Sequence, residues 1–204
     1  MTTGLIVAGG RSTRIGETDK AVAELAGRPL IAHVACGIES GVDQLIVSCR
    51  RQQREAIAAA LSGVAVPVSF AFDDREVGPL GGICDGLQAS DSEWTLVVGC
   101  DFPFVDTEVI ETLASAEADA VDAVVFQYSD GSMQPLCGRY RTQPARVGSQ
   151  RLVSAGEYRV QALVETLSTQ FLAVTEQLDE QLENINTPDA LADAETRFSR
   201  SERG

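Results

Sequence analysis

Short apolar segments alternate with helical patterns in the first part of the sequence. The apolar segments have the length of buried strands, and the segments between them have helical spacing or an alanine-rich composition. The strand candidates are residues 4–8, 44–48, 68–72 and 94–100, and the helix candidates are residues 29–38, 52–61 and 105–116. This alternation predicts a parallel sheet with right-handed crossovers. We therefore expect a three-layer α/β/α protein, with helices on both faces of a mostly parallel central sheet.

The pattern changes in the second part of the sequence. Two strand candidates, residues 123–128 and 135–140, flank the segment "SDGS", in which Asp-Gly is typical of a hairpin turn. A helix candidate at 160–167, a strand candidate at 170–174 and a last helix from Pro188 complete the chain. Because no repeat or linker divides the sequence, we expect one domain over residues 1–198, followed by a frayed tail over 199–204.

The sequence is acidic but is rich enough in apolar residues to fold. It has 16 Lys and Arg against 30 Asp and Glu, a formal net charge of −14, and 44% hydrophobic residues. The carboxylates must therefore lie on the surface, where they repel nucleic acid and anionic membranes. No apolar segment approaches the roughly 20 residues of a membrane span, and no signal pattern is present. We expect a cytoplasmic protein, and a salt-rich cytoplasm is one hypothesis for its acidity.

A glycine-rich loop, "VAGGRSTRIGETDK" (residues 7–20), directly follows the first strand candidate. Glycines at such a place let the backbone approach a ligand and point N–H groups at phosphate oxygens. The spacing matches neither of two common phosphate-binding motifs, G-x-x-x-x-G-K-[ST] and G-x-G-x-x-G. Arg14 adds a planar guanidinium, and Lys20, the only lysine in the sequence, adds a mobile point charge. These groups predict a triphosphate site, although a lone lysine can also survive on a surface by chance.

The loop resembles the L-A-G-G-x-S-x-R-M-G-x-D-K signature of the nucleotidyltransferases that guanylylate molybdopterin, with Val7 and Ile15 in place of leucine and methionine and with two residues instead of one between Gly16 and Asp19. Further matches to this family follow in order: "GRPLIAHV" at 27–34, "GPLGGI" at 78–83, "CDFPF" at 100–104 and "NINTPDAL" at 184–191. The chain is thus similar to the molybdenum cofactor guanylyltransferases (molybdopterin-guanine dinucleotide synthases) over most of its length. The resemblance implies the Rossmann-like nucleotide-diphospho-sugar transferase fold.

The resemblance also implies a reaction. It is the transfer of GMP from GTP to the terminal phosphate of molybdopterin, with release of pyrophosphate and with Mg²⁺ as the metal. The implied partners are GTP, molybdopterin and, transiently, other molybdenum cofactor proteins. Nucleotidyl transfer depends on positioning and charge neutralisation more than on covalent groups, so no nucleophilic side chain is required.

The catalytic candidates are Arg14, Lys20 and Asp101. Asp101 follows an apolar strand candidate, where a carboxylate could hold Mg²⁺ between substrate phosphates. The alternative is that Asp101 caps the helix that follows. The resemblance to the family at "CDFPF" favours the metal.

The remaining candidates lie on two sides of the implied site. By resemblance, Asp73 contacts the nucleotide, although Asp74 could replace it in the alignment and both could be solvated. Ser48 stands where the family's better-described members have an asparagine, which puts its role in doubt. The family places Asn184 and Asn186 near molybdopterin, and the alternative for this segment is a turn and a helix start at Thr187. The complete set of nucleotide-binding or acceptor-binding candidates is Val7, Ala8, Gly9, Gly10, Lys20, Ser48, Asp73, Gly78, Gly82, Asp101, Asn184 and Asn186.

Two other functions are compatible with the sequence. One is a nucleotidyltransferase of the same fold with another substrate, such as a molybdopterin cytidylyltransferase or a sugar-phosphate nucleotidyltransferase. "AGG" at residues 8–10 favours guanylyl transfer, since cytidylyl relatives usually have A-A-G. The other is a binding module without turnover, which the presence of Arg14, Lys20 and Asp101 disfavours.

Overall fold

The structure is a computed structural model that describes residues 1–9, 14–15, 18–74, 77–116 and 120–201. Its helices are α1 Leu30–Ile38, α2 Arg54–Ala60, α3 Pro79–Ala89, α4 Thr107–Ser115, α5 Thr142–Ser154, α6 Val160–Thr166, α7 Glu176–Gln181 and α8 Pro188–Ser201. Its strands are β1 Thr2–Val7, β2 Arg14–Ile15, β3 Thr18–Asp19, β4 Glu24–Leu25, β5 Arg28–Pro29, β6 Gln44–Cys49, β7 Val68–Phe72, β8 Trp94–Gly99, β9 Ala123–Gln127, β10 Met133–Arg141 and β11 Thr169–Ala173.

Seven strands form the central sheet in the order β11-β9-β10-β8-β1-β6-β7. Strand β10 runs antiparallel to both of its neighbours, and the other strands run parallel to one another. The expected strands are confirmed to within two residues at each end. The expected hairpin joins β9 to β10, where Gly131 has the positive φ of 85° that its turn requires. The mostly parallel α/β fold is therefore confirmed.

Helices cover both faces of the sheet. Side chains of β1 alternate between them, so that Ile6 packs on one face and Leu5 and Val7 on the other. Helices α1, α2, α4 and α7 pack on the face of Ile6, while α3, α5 and α6 pack on the opposite face. Each fully buried aliphatic side chain in these layers contributes about 2 kcal/mol to folding. This packing holds the strands in place and so determines where their carboxyl ends lie.

The carboxyl ends of β1, β6, β7 and β8 meet at one edge of the sheet. Val7 at the end of β1 pairs with Ser48 in β6 and with Gly99 in β8. Beyond β1 the described residues form the antiparallel pair β2–β3 and then a 3₁₀ turn at Lys20–Val22. In parallel α/β sheets ligands bind beyond this edge.

The structure differs from the expected secondary structure in its helices. Helices α3, α5 and α7 were not expected, and Gly81 and Gly82 lie inside α3. Proline at the first position of α3 and the apolar spacing of Leu80, Ile83 and Leu87 explain this helix, because those side chains face the core. Helix α8 spans Pro188–Ser201 and so includes residues 199–201 of the expected tail, whose fraying stays a prediction; residues 202–204 lie outside the described residues.

Candidate active site

Lys20 lies at the centre of the candidate site. It is 8% exposed, and its ammonium donates hydrogen bonds to Asp101 Oδ2 at 2.9 Å and to Asn186 Oδ1. These partners lie 81 and 166 residues further along the chain. The structure therefore brings three residues of the expected site into direct contact.

Asp101 is held at the end of β8 by its backbone and by the small residue before it. Its carbonyl oxygen accepts a hydrogen bond from the Ile185 amide at 2.9 Å. A Cβ at Gly99 would collide with Asp101 Oδ1, so a glycine is required for this carboxylate position. The cap of α4 is Asp106, whose carboxylate accepts hydrogen bonds from the amides of Glu108 and Val109. Asp101 is therefore not the cap of that helix.

Asn184 and Asn186 flank Ile185, which is fully buried, and both asparagines are exposed. Asn186 contacts Lys20, whereas Asn184 borders a neighbouring cavity of about 360 Å³. The other residues lining that cavity are Tyr128, Gln134, Asp179, Glu180, Leu182 and Glu183. The segment is a turn followed by a helix start, as the alternative interpretation expected, because Thr187 Oγ1 accepts a hydrogen bond from the Ala190 amide at the start of α8.

Asp73 and Asp74 have different surroundings although they are neighbours in sequence. Asp73 is 1% exposed and lies between the end of β1 and α3, where its carboxylate would be 3.5 Å from a Cβ at Gly9 and 3.4 Å from one at Gly81. Asp74 is exposed and accepts two hydrogen bonds of 2.9 Å from the Arg51 guanidinium. The carboxylate that faces the glycine-rich loop is therefore that of Asp73.

Ser48 lies beneath α3 rather than at the open edge of the site. It is 0% exposed, and its hydroxyl has no hydrogen-bond partner among the described residues. A Cβ at Gly82 would be 2.7 Å from this hydroxyl, so a glycine is needed for the close packing of α3 on β6. Gly78, which precedes α3, has a φ of 109° that favours glycine.

The start of the glycine-rich loop is buried up to Ala8. Val7 and Ala8 are 5% and 4% exposed, and the Ala8 amide donates to the Ser48 carbonyl at 2.8 Å. Gly10 lies outside the described residues. Of Arg14 the structure describes the backbone, which pairs with Asp19 between β2 and β3.

Sequence reasoning missed a buried polar residue beside this loop, Gln53. It is 4% exposed, and its amide nitrogen donates to Asp19 Oδ2 at 2.6 Å and to the Ala8 carbonyl at 3.4 Å. Its amide oxygen accepts from the Arg50 backbone amide at 2.8 Å. In the sequence Gln53 is only one of several polar residues in a helical pattern, and no local signal distinguishes it.

Two cysteines near the site are protonated at neutral pH. Burial raises the pKa of the Cys49 thiol to about 11, with a smaller contribution from the charge of Asp19. Burial also raises the pKa of Cys100, and the adjacent Asp101 carboxylate raises it further. Since the thiolate is the nucleophilic form, neither group is prepared for covalent catalysis. This agrees with a reaction that needs no nucleophilic side chain.

The donor set fits a magnesium ion that is shared with substrate. Among the described residues no group of three or more His, Cys, Asp or Glu side chains is arranged to hold a metal. Magnesium is commonly held by one or two carboxylates together with phosphate oxygens and water. Asp101, whose side chain is 14% exposed at the open edge of the sheet, is suited to that arrangement.

A sheet of this topology is that of the nucleotidyltransferase fold, and a lysine–aspartate pair lies at its carboxyl edge. Residues 4–175 match the family model described as MobA-like NTP transferase domain. The chain belongs to the molybdenum cofactor guanylyltransferase family. It is therefore an enzyme that transfers nucleotidyl groups in molybdenum cofactor biosynthesis.

Relatives and a solved structure support this membership along nearly the whole chain. The chain is 36% identical to "Probable molybdenum cofactor guanylyltransferase" of Natronomonas pharaonis, over 97% of this chain and 98% of that protein. It is 35% identical to the molybdenum cofactor guanylyltransferase of Pseudomonas putida, over 93% of this chain and 95% of that protein. The crystal structure of molybdopterin-guanine dinucleotide biosynthesis protein A from Archaeoglobus fulgidus is similar to this structure, with a TM-score of 0.75 and 25% sequence identity. The match covers 98% of this chain and 100% of that chain.

In the described part of the chain no helix has the length and apolar character of a membrane span.

Proposed function

We propose that the protein transfers GMP from GTP to the terminal phosphate of molybdopterin, forming the guanine dinucleotide cofactor and pyrophosphate. The observation that carries this proposal is the position of the Lys20 ammonium. It contacts Asp101 on one side and Asn186 on the other, at the edge of the sheet where parallel α/β proteins bind ligands. The names of the relatives support the choice of substrates.

The nucleotide side of the proposed site is the end of β1 and the elements next to it. The backbone of Gly9 and Gly10 would approach the triphosphate, with Val7 and Ala8 as the rigid support behind them. Besides this backbone, Asp73 would contact the nucleotide, because its carboxylate faces Gly9. Gly82 supports this side because it lets α3 pack closely on Ser48 in β6, and Gly78 supplies the positive φ that precedes α3.

The charges of the reaction would be met by three side chains. Asp101 would hold Mg²⁺, which when bound supplies positive charge to the phosphate oxygens. Lys20 would neutralise the negative charge that grows on the triphosphate as the bond breaks, because a flexible ammonium can follow that charge. Arg14 would bind phosphate oxygens through its guanidinium.

The acceptor side is the segment that carries Asn184 and Asn186. Asparagine amides offer donors and an acceptor to the polar edge of a pterin or to its phosphate, without adding charge. An oxygen of the acceptor phosphate would bond to the α-phosphorus of GTP while the bond from that phosphorus to the β-phosphate oxygen breaks, and pyrophosphate would leave.

Pyrophosphate release tests this function. We expect release from GTP when molybdopterin and Mg²⁺ are present, and little from CTP, ATP or UTP under the same conditions. We also expect GTP with Mg²⁺ to raise the unfolding temperature more than the other nucleotides, since a ligand stabilises the native state according to its affinity for it. Equal thermal shifts for GTP and CTP would contradict the guanylyl assignment.

A further inference from the structure

Gln53 connects two segments that are distant in sequence. It ends the 3₁₀ turn Arg51–Gln53 that follows β6, and it is buried. Its single amide nitrogen donates to Asp19 Oδ2 and to the Ala8 carbonyl, which lie 34 and 45 residues away. Ala8 lies near the start of the glycine-rich loop and Asp19 near its end, so one buried amide contacts both ends of this loop.

Asp19 passes this restraint on to Lys20. One of its carboxylate oxygens accepts from the Ala21 amide at 3.1 Å and so caps the 3₁₀ turn Lys20–Val22. The other oxygen accepts from Gln53 and lies 4.0 Å from the Arg50 guanidinium. The turn that carries the Lys20 ammonium towards Asp101 is therefore fixed through the carboxylate that Gln53 holds.

We propose that Gln53 is a positioning residue for nucleotidyl transfer, acting through Asp19 on Lys20. This inference rests on the proposed role of Lys20 in that reaction. Gln53 uses both functions of its amide, donating to Asp19 and accepting from the Arg50 backbone. A glutamate would keep the acceptor but set a second carboxylate against Asp19, and a methionine would fill the space with neither function.

The first test compares Gln53→Met with Gln52→Met. The two glutamines are neighbours in one turn, but Gln52 is exposed, which makes it a matched control. We expect Gln53→Met to lower kcat by about 10- to 100-fold, with a smaller change in the KM for GTP, because a small displacement of a catalytic group costs rate more than binding. Gln52→Met should leave both constants within about twofold of the parent. A kcat for Gln53→Met equal to that of Gln52→Met would overturn the inference.

The second test asks whether Gln53 acts through Lys20. In the double variant Gln53→Met with Lys20→Ala, kcat should be no lower than in Lys20→Ala alone, because residues that act as a unit are not additive. Multiplication of the two single losses would show independent effects and would overturn the inference.

The third test exchanges donor and acceptor, and it covers the case in which Gln53→Met does not fold. Gln53→Glu keeps the acceptor for the Arg50 amide and should lower kcat, since two carboxylates then face each other. Adding Asp19→Asn restores a donor opposite an acceptor with the same net charge, and we expect it to recover at least about half of the lost activity on a logarithmic scale. A double variant no better than Gln53→Glu would count against the positioning role.

A substrate-free measurement separates this inference from the proposed function. Hydrogen exchange at the Ala21 amide should become at least about tenfold faster in Gln53→Glu, because the Asp19 carboxylate that accepts from this amide is displaced. The same exchange rate should be unchanged in Gln52→Met. Absence of pyrophosphate release in the parent protein would contradict the proposed function but not this result. Unchanged exchange in Gln53→Glu would overturn the positioning inference even in an active enzyme.

Discussion

Two ion pairs of the molecule have the same length and very different surroundings. Lys20 Nζ and Asp101 Oδ2 lie 2.9 Å apart with side chains 10% and 14% exposed, whereas Arg51 and Asp74 are also 2.9 Å apart with side chains 66% and 59% exposed. The exposed pair is screened by water and adds little to stability. The buried pair loses much of its hydration, and this desolvation cost can exceed the attraction between the two charges, so the pair contributes little to the stability of the fold. Buried charged groups of this kind are common in functional sites. Distance alone therefore does not distinguish the proposed catalytic pair from the surface pair, but burial does.

Breaking the buried pair at its lysine should have the largest effect. We expect Lys20→Ala to lower kcat by about 10²- to 10³-fold and GTP affinity by less than about tenfold, because the ammonium meets charge that grows in the transition state. Single-turnover kinetics and calorimetry with GTP would measure the two effects separately. An unchanged kcat would mean that the contacts of Lys20 with Asp101 and Asn186 are structural and that its ammonium takes no part in the reaction.

Breaking the same pair at its carboxylate should have the next largest effect. Asp101→Asn keeps the shape but loses the charge, and we expect magnesium-dependent turnover to fall on the order of 100-fold while the fold is retained. The matched control is Asp106→Ala, which removes the cap of α4 and should lower stability by about 1 kcal/mol without affecting turnover. Normal turnover in Asp101→Asn together with a lower unfolding temperature would assign Asp101 a structural role.

The third partner of the buried pair should have a smaller effect. Asn186→Ala removes a hydrogen-bond acceptor of Lys20 and, in the proposed function, contacts to the acceptor substrate. We expect molybdopterin affinity to fall by about tenfold, the value of one or two hydrogen bonds, while GTP affinity stays nearly unchanged. Calorimetry with each substrate would measure both. If GTP affinity falls and molybdopterin affinity does not, the two sides of the site are reversed.

The comparison also indicates what a sequence can reveal about such a site. Lys20 could be singled out because it is the only lysine, and Asp101 because it directly follows a strand whose apolar pattern is unambiguous. The sequence could not show that Asp73 and Asp74 differ in burial, since both follow β7 and only the packing of α3 separates them. It also could not show the position of Gln53, because its hydrogen-bond partners Asp19 and Ala8 are distant in sequence and lie near it only in the folded protein.

The fold was predictable to a similar degree. Strands β6, β7 and β8 are short and mostly apolar segments, and this local signal was sufficient to locate them. Helix α3 was missed because Gly81 and Gly82 are poor helix formers and resemble a loop. Burial of one face of that helix against the sheet outweighs their low propensity, and this burial is a property of the whole fold.

Breaking the exposed pair should have the smallest effect. In the folded protein the hydrogen bond from Arg51 lowers the pKa of the Asp74 carboxyl below its ordinary value. Its contribution to stability is therefore present above the unfolded pKa of Asp74 and is lost as the pH falls through the lower folded pKa. Arg51→Gln should return the pKa of Asp74 towards its ordinary value, as an NMR titration would show, and should narrow this acidic range of pH dependence.

We expect the same variant to keep its unfolding temperature at pH 7 within about 2 °C of the parent and to retain full turnover, because water already screens the pair. High salt should make the parent and Arg51→Gln still more alike, since screening weakens exposed pairs first. A loss of turnover comparable to that of Lys20→Ala would contradict the distinction between the two pairs. It would place the Arg51 guanidinium, despite its exposure, among the groups that meet the triphosphate.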